Sequence, residues 1–161
     1  MPVLDVTTDP DTLTLTITAQ FAAPVERIWE LYSDPRQLER VWGPPSYPAT
    51  FVEHELVVGS QSTYFMTSPE REKFHGLWTL TEVDEPRSFS FDDAFADENF
   101  TANQDLPIST STYLFESVDD GTRATFTSRF ESAKALQQVL DMGVEEGSIL
   151  AINQIDAFLA S

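Results

Sequence analysis

Glu53-His54-Glu55 sets an imidazole between two carboxylates, a grouping that general acid–base catalysis and metal ligation both use. On an extended segment successive side chains point to opposite faces, so Glu53 and Glu55 share one face and His54 takes the other. That separation splits the dyad, and the cluster reads as a solvated strand with its polar side outward. His75, the only other histidine, precedes Gly76 on a strand-like run and reads as a structural residue. Two histidines on separate strands, in a chain with no cysteine, make a poor zinc set. Disulfides and cysteine nucleophiles are excluded outright. Asp92-Asp93 and Asp97-Glu98 are acid pairs of the kind that move protons, but as neighbours in an acidic stretch they read as a solvated edge. There is no Gly-x-Ser-x-Gly elbow and no glycine-rich phosphate loop, the six glycines being scattered singly. No catalytic set, metal or cofactor is expected.

The aromatic residues point elsewhere. Trp29, Trp42, Tyr64, Trp78, Phe91, Phe95 and Tyr113 exceed what a small core needs for filling. A subset lining an apolar pocket, with a few orienting polar groups, fits the usual composition of a small-molecule site of ~300–1,000 Å³. The segment 132–161 supplies a roof. It lacks proline and reads as one long helix, and projection at about 100° per residue places Leu136, Val139, Leu140, Gly143, Gly147, Leu150, Gln154, Ala157 and Phe158 on one side. An interior glycine costs up to ~1 kcal/mol relative to alanine. Two glycines and a glutamine on the inward stripe therefore leave either close approach to a sheet or room for a ligand, with Gln154 as a polar group inside. The expected ligand-binding residues are Trp42, Phe65, Trp78, Phe91, Tyr113, Gly143, Gly147, Leu150 and Gln154. Strand faces carry this choice, and a slip of one residue inverts each. Ile152 falls on the polar side of the projected helix, as a stray apolar residue or part of a self-association patch.

The elements that must position these residues follow from periodicity and punctuation. Asp9-Pro10-Asp11 reads as a start, and residues 12–21 alternate apolar with threonine or glutamine as a half-buried strand. Ala23-Pro24-Val25-Glu26 opens a helix with Val25, Ile28, Trp29 and Tyr32 buried, and Asp34-Pro35 ends it and starts a second over 36–41. Residues 43–48, with three prolines, form a rigid loop. Strands are predicted over about 50–57, 60–67, 72–83, 88–94, 110–118 and 122–130, the last two joined by an Asp119-Asp120-Gly121 turn. Residues 95–107 form a long polar loop beside a functional mouth, or a mobile flap. The order predicts an α+β fold, with a curved antiparallel sheet of about seven strands wrapped around a long C-terminal helix.

Length and composition agree with one domain, 1–161. Hydrophobic content is 41%, and the net charge is −18 from 27 acidic and 9 basic residues. Between Arg87 and Arg123 no basic residue occurs. Nucleic-acid and anionic-membrane binding need basic patches, so neither is expected, though the acidic surface suits a basic protein partner. No basic segment followed by an apolar run opens the chain, and a soluble, cytoplasmic protein, as monomer or weak homodimer, is the expectation.

ITAQFAAPVERIWELYSDPRQLERVWGPPSYPATFVEHEL resembles the opening of the activator-of-heat-shock-ATPase-like branch of the START/SRPBCC helix-grip superfamily. HGLWTLTEVDEPRSFSFDDAFAD is similar to its middle strands. GTRATFTSRFESAKALQQVLDMGVEEG with QIDAFLA is similar to its closing hairpin and helix. The likeness runs from about Thr12 to Ala160 and implies a cavity between sheet and last helix, which in many members of the superfamily holds a hydrophobic molecule. Lipid carriers, hormone-binding proteins, polyketide cyclases and a stimulator of a chaperone ATPase share the architecture, so fold does not choose among them. Two departures stand out. Val41-Trp42 replaces a usual tandem tryptophan, and Val144 replaces the aromatic usual after Met-Gly. Three readings follow. The first is a non-enzymatic module for a hydrophobic, aromatic or polycyclic small molecule. The second is a cyclase- or hydrolase-type enzyme acting on such a ligand, with an acid or histidine moving protons. The third is a co-chaperone-like protein engaging its partner through the acidic surface.

Overall fold

Residues 2–160 are described by a computed structural model. The chain runs β1 (Val3–Asp9), β2 (Thr14–Phe21), α1 (Val25–Ser33), α2 (Pro35–Trp42), β3 (Ala49–Glu53), β4 (Gln61–Thr67), β5 (Lys73–Asp84), β6 (Ser88–Ala96), β7 (Ser109–Val118) and β8 (Gly121–Phe130), then α3 (Ala133–Asp141), α4 (Val144–Ile152) and α5 (Ile155–Ala160). The strands form one antiparallel sheet ordered β1-β2-β8-β7-β6-β5-β4-β3. It curls into an α+β helix-grip fold with eight strands rather than about seven.

The additional strand is β1. It is an edge strand, mostly polar and largely exposed, so no apolar alternation marks it. Asp9-Pro10-Asp11 belongs to the hairpin turn that joins β1 to β2 rather than to a start. In β2 the predicted alternation is realised, with Leu15, Ile17, Ala19 and Phe21 buried in turn. β3 stops at Glu53, short of the predicted 57, where its register with β4 shifts.

Two short helices close one side of the curl. Asp34 caps α2 by accepting from the Arg36 N–H at 2.9 Å, with Pro35 in the first turn. Side chains of α2 then grip the backbone of edge strand β3: Arg36 donates to the Phe51 carbonyl and Glu39 accepts from the Phe51 N–H at 3.0 Å. This docking fixes Trp42, the last residue of α2, beside the sheet.

The C-terminal segment is three helices, not one. Gly143 sits at φ +79° between α3 and α4, a left-handed conformation that glycine adopts without a Cβ penalty. The break resets the helical phase. Ile152, projected onto the polar side of a straight helix, is buried in the main core, whereas Leu150, projected inward, is 53% exposed. Ser161, the last residue of the predicted helix, lies outside the described residues. α3 packs Ala135, Leu136 and Val139 on Leu15 of β2 and Phe130 of β8. At the far end Ile152 and Ile155 join the main core, and Phe158 lies against the guanidinium groups of Arg27 and Arg40 at 5.8 and 5.1 Å. The helices thus bridge the inner face of the sheet, anchored at both ends.

The two helix glycines should respond oppositely to alanine. Gly143→Ala forces an L-residue into the left-handed region and costs about 1–2 kcal/mol. At Gly147 a Cβ would meet no atom within 4 Å, so Gly147→Ala gains helix propensity and stabilises by up to about 1 kcal/mol. Urea unfolding of both variants checks the signs. Among the described residues, no helix is long and apolar enough to cross a membrane.

Candidate functional site

Register across the sheet gathers an aromatic wall on its inner face. Phe51 of β3 pairs with Tyr64 of β4; Trp78 of β5 and Phe91 of β6 stack at 4.1 Å; Tyr113 of β7 pairs with Phe126 of β8. Trp42, delivered from α2, meets Trp78 edge-on at 4.8 Å and Tyr64 at 5.8 Å. Edge-to-face and offset-stacked contacts of this kind hold rings rigidly.

A polar cluster is set into this wall. Phe89, Phe91, Asp93 and Phe95 occupy successive inward positions of β6, so one carboxylate takes an apolar slot. Asp93 is half-buried, and burial pushes its carboxyl up to about 7 against the opposing effect of the Tyr64 hydroxyl, which reaches it at 3.4 Å. That distance is long for O–H···O, so the pair is only loosely joined. Tyr64 can lie there because its partner in β5 is Gly76; a Cβ at Gly76 would occupy the space of the phenol ring. Burial holds the Tyr64 and Tyr113 hydroxyls well above the usual phenol range, keeping them protonated. The indole N–H groups of Trp42 and Trp78 lie close enough to the Tyr64 hydroxyl to pull its pKa back down, yet both nitrogens are buried without a hydrogen-bond partner.

The last inward residue of β6, Phe95, also lines a pocket at the edge of the sheet. Where β5 begins and β6 ends, a pocket of about 870 Å³ is lined by Lys73, Phe74, His75, Phe95, Ala96, Asp97, Glu98 and Leu106. Phe95 is two residues beyond Asp93 on the same strand face, about 7 Å along the strand. Tyr47, from the rigid loop, meets Phe74 at this edge with ring centroids 6.2 Å apart.

Of the nine expected residues, the structure brings Trp42, Trp78, Phe91 and Tyr113 together on the inner face. Gly147, in α4, is half-buried, with no atom within 4 Å of where a Cβ would stand. The other four lie elsewhere. Phe65 follows Tyr64 and so points to the outer face, under Lys73 (4.6 Å) and beside His75. Leu150 is exposed because the break at Gly143 rotated α4. Gly143 makes the turn instead of leaving room. Gln154 does not offer its amide to the groove: its Nε2 donates to the Gly43 carbonyl at 2.8 Å and ties the rigid loop to the α4–α5 junction.

His54 is fully engaged inside the protein. One ring nitrogen lies 2.6 Å from the Tyr32 carbonyl, to which it donates, and the other lies 2.7 Å from the Ser62 hydroxyl. Burial lowers its pKa, with the Tyr32 contact opposing. The flanking Glu53 and Glu55 are exposed, so the triplet divides as the sequence indicates, although only Glu53 is in a strand. His75 packs between Phe65 and Phe100 on the outer face. Among the described residues, no group of three histidine, aspartate or glutamate side chains is arranged to hold a metal.

Sequence reasoning misses Tyr64 and Asp93 as site residues. It groups Asp93 with Asp92, Asp97 and Glu98 as a solvated edge; Asp97 and Glu98 are exposed, whereas Asp93 turns inward. The signal is present in Phe89-Ser90-Phe91-Asp92-Asp93-Ala94-Phe95, where the aspartate at 93 continues the phase of the phenylalanines.

The family model described as Activator of Hsp90 ATPase homolog 1-like protein matches residues 22–160. A crystal structure of a protein from Mycobacterium smegmatis is 65% identical, covering 98% of this chain and 97% of that one, with a TM-score of 0.92. A solution structure from Arthrobacter aurescens is 44% identical over 98% of this chain and 92% of that one, TM-score 0.94. Another, from Staphylococcus epidermidis, is 25% identical over 98% and 94%, TM-score 0.84. No curated protein matches the chain.

Proposed function

We propose, for a chain that belongs to the family of activator of Hsp90 ATPase homolog 1-like proteins, that the inner face of the sheet binds a hydrophobic small molecule of aromatic or polycyclic type without catalysis of its own. The observation that carries this reading is the aromatic wall on the inner face, whose strand β6 continues through Phe95 into the lining of the 870 Å³ pocket, a volume within the ~300–1,000 Å³ typical of ligand sites. Flat, rigid rings on the wall favour flat ligands, which stack without a large loss of side-chain entropy. The reading places the ligand under α4, where a Cβ at Gly147 would meet no atom within 4 Å.

Gly147→Leu tests the reading. A Cβ at this position meets no atom within 4 Å, so the variant is expected to fold. With the neutral fluorescent probe N-phenyl-1-naphthylamine, wild type should show saturable binding and the variant at least about tenfold weaker binding. A variant that binds as tightly as wild type removes α4 from the site.

A second reading, proton transfer on the bound molecule, is favoured by one observation: Asp93, with a carboxyl near neutral pKa, beside the Tyr64 hydroxyl. Here the Asp93 carboxylate takes an α-proton from a ketone, leaving an enolate, and a solvent proton returns to the carbon. Deuterium exchange into the methyl group of 2-acetylnaphthalene in heavy water, accelerated by wild type and not by Asp93→Asn, is the expected result. Exchange at the background rate with both proteins removes this reading.

A further inference from the structure

We infer that the indole N–H groups of Trp42 and Trp78, with the Tyr64 hydroxyl and the Asp93 carboxyl, form a hydrogen-bonding subsite for one acceptor oxygen, and that the ligand is a neutral aromatic carbonyl compound seated carbonyl-first.

The inference rests on the inner face being a ligand site and goes on to assign the ligand's chemistry. Buried polar groups in native proteins are paired, and each exception calls for an explanation. Here two exceptions occur on adjacent rings. Trp78 has no exposed surface at all, its Nε1 lacks a partner, and the Nε1 of Trp42 next to it is likewise buried and unpaired. The two belong to different elements, α2 and β5, and the Arg36 and Glu39 contacts with Phe51 lock α2 against the sheet. The Trp42, Trp78 and Tyr64 rings are mutual neighbours, with centroids 4.8 Å (Trp42–Trp78), 5.8 Å (Trp42–Tyr64) and 6.3 Å (Tyr64–Trp78) apart, so the two N–H groups belong to one cluster.

The subsite is rich in donors. An indole N–H donates and never accepts. Tyr64 stays protonated, and Asp93, whose carboxyl titrates near neutrality, carries a proton to donate over the acidic half of the physiological range. A ligand oxygen with two lone pairs matches this set. A carboxylate matches it less well, because a full charge would be desolvated beside Asp93 with no cation to meet it. Lys73, a basic residue at the mouth, sits over the Phe65 ring on the outer face. A ketone or aldehyde oxygen accepts the same hydrogen bonds without that charge, and its attached ring stacks on the aromatic wall.

The experiment compares 2-acetylnaphthalene with 2-isopropenylnaphthalene, a near-isostere in which a methylene replaces the carbonyl oxygen. Affinities for wild type, Trp78→Phe and Trp42→Phe are read by NMR titration, with the indole N–H resonances followed directly. Wild type should bind the ketone about tenfold tighter than the alkene, the difference that one or two net hydrogen bonds supply. Each phenylalanine variant keeps a ring in place, deletes one donor and should shrink the preference severalfold. Both indole N–H resonances should move with the ketone and stay near their free positions with the alkene. Equal affinity for the two probes, with groove shifts present, would overturn the carbonyl subsite and leave the hydrophobic groove standing. Binding of neither probe would overturn both. The two variants are independent, so a failure of one to fold leaves the other to decide.

Discussion

Asp93→Asn should be more stable than wild type at pH 8, by on the order of 2–4 kcal/mol, and no more stable at pH 4. The native carboxyl titrates at about 7 against an ordinary value of 3.8. Between those values the folded chain holds a proton that the unfolded chain has already released. Stability relative to the neutral side chain is therefore intact below pH 4 and is lost as pH rises through 7. A tenfold change in proton affinity corresponds to about 1.4 kcal/mol, and water reaching the half-buried carboxyl trims the total. Asparagine keeps the shape, accepts from Tyr64 and carries no charge, so it escapes the penalty. His54 acts in the opposite direction: its lowered pKa makes acid destabilising, as the unfolded imidazole takes up a proton first. Both chains carry His54, so its effect cancels in the difference. Urea midpoints across pH 4–8 make the comparison. Equal stability at pH 8 would mean that Asp93 is solvated and has no place in a buried site. A residue that destabilises its own fold near neutral pH is the signature of a site kept for binding or chemistry.

Trp78→Ala should cost about 3–5 kcal/mol, the largest single loss expected in this fold. The side chain has no exposed surface and touches rings from Phe91 at 4.1 Å, Trp42 at 4.8 Å, His54 at 5.4 Å and Phe51 at 5.8 Å. Its removal leaves a hole that the sheet cannot close by collapse, because the neighbouring rings are themselves fixed by one another. One effect runs the other way. The indole N–H is buried and unpaired, and deleting it relieves a penalty of about 1–3 kcal/mol. The net loss should therefore fall toward the lower end. Against a typical domain stability of about 5–15 kcal/mol it remains a large fraction, readable as a drop in Tm. Trp78→Phe removes the unpaired donor while keeping a ring, and should be much milder. A cost for Trp78→Ala below about 1 kcal/mol would show that the wall is loosely packed and its rings are not rigid.

What the sequence discloses depends on which physical signal is local. The strand alternation in 14–21 and the turn at Gly121 need no tertiary information, and both appear as read. The edge strand β1 escapes notice because an exposed edge has no apolar face to display. The C-terminal helices are legible as helix and illegible as to phase. Gly143 suits an inward small residue or a left-handed break, and only the packed chain separates these; the break exchanges the fates of Leu150 and Ile152. Expecting Phe65 in the place of Tyr64 is an error of a single residue of register, to which strands with apolar residues on both faces are most open. Tyr64 opposite Gly76 is a pairing of residues from two strands, which a linear pattern does not display. Gln154 is legible as polar but not as the clamp on Gly43, a partner 111 positions away.

The most direct test of the proposed ligand site is a residue-resolved NMR titration of the full chain with 2-acetylnaphthalene, following the Gly147 amide and the indole N–H signals of Trp42 and Trp78. Saturable shifts at those three positions and at Phe95, the residue shared by the wall and the pocket, are the predicted result. Shifts confined to the outer face, or none anywhere in a well-dispersed spectrum, would contradict a ligand site between the sheet and the C-terminal helices.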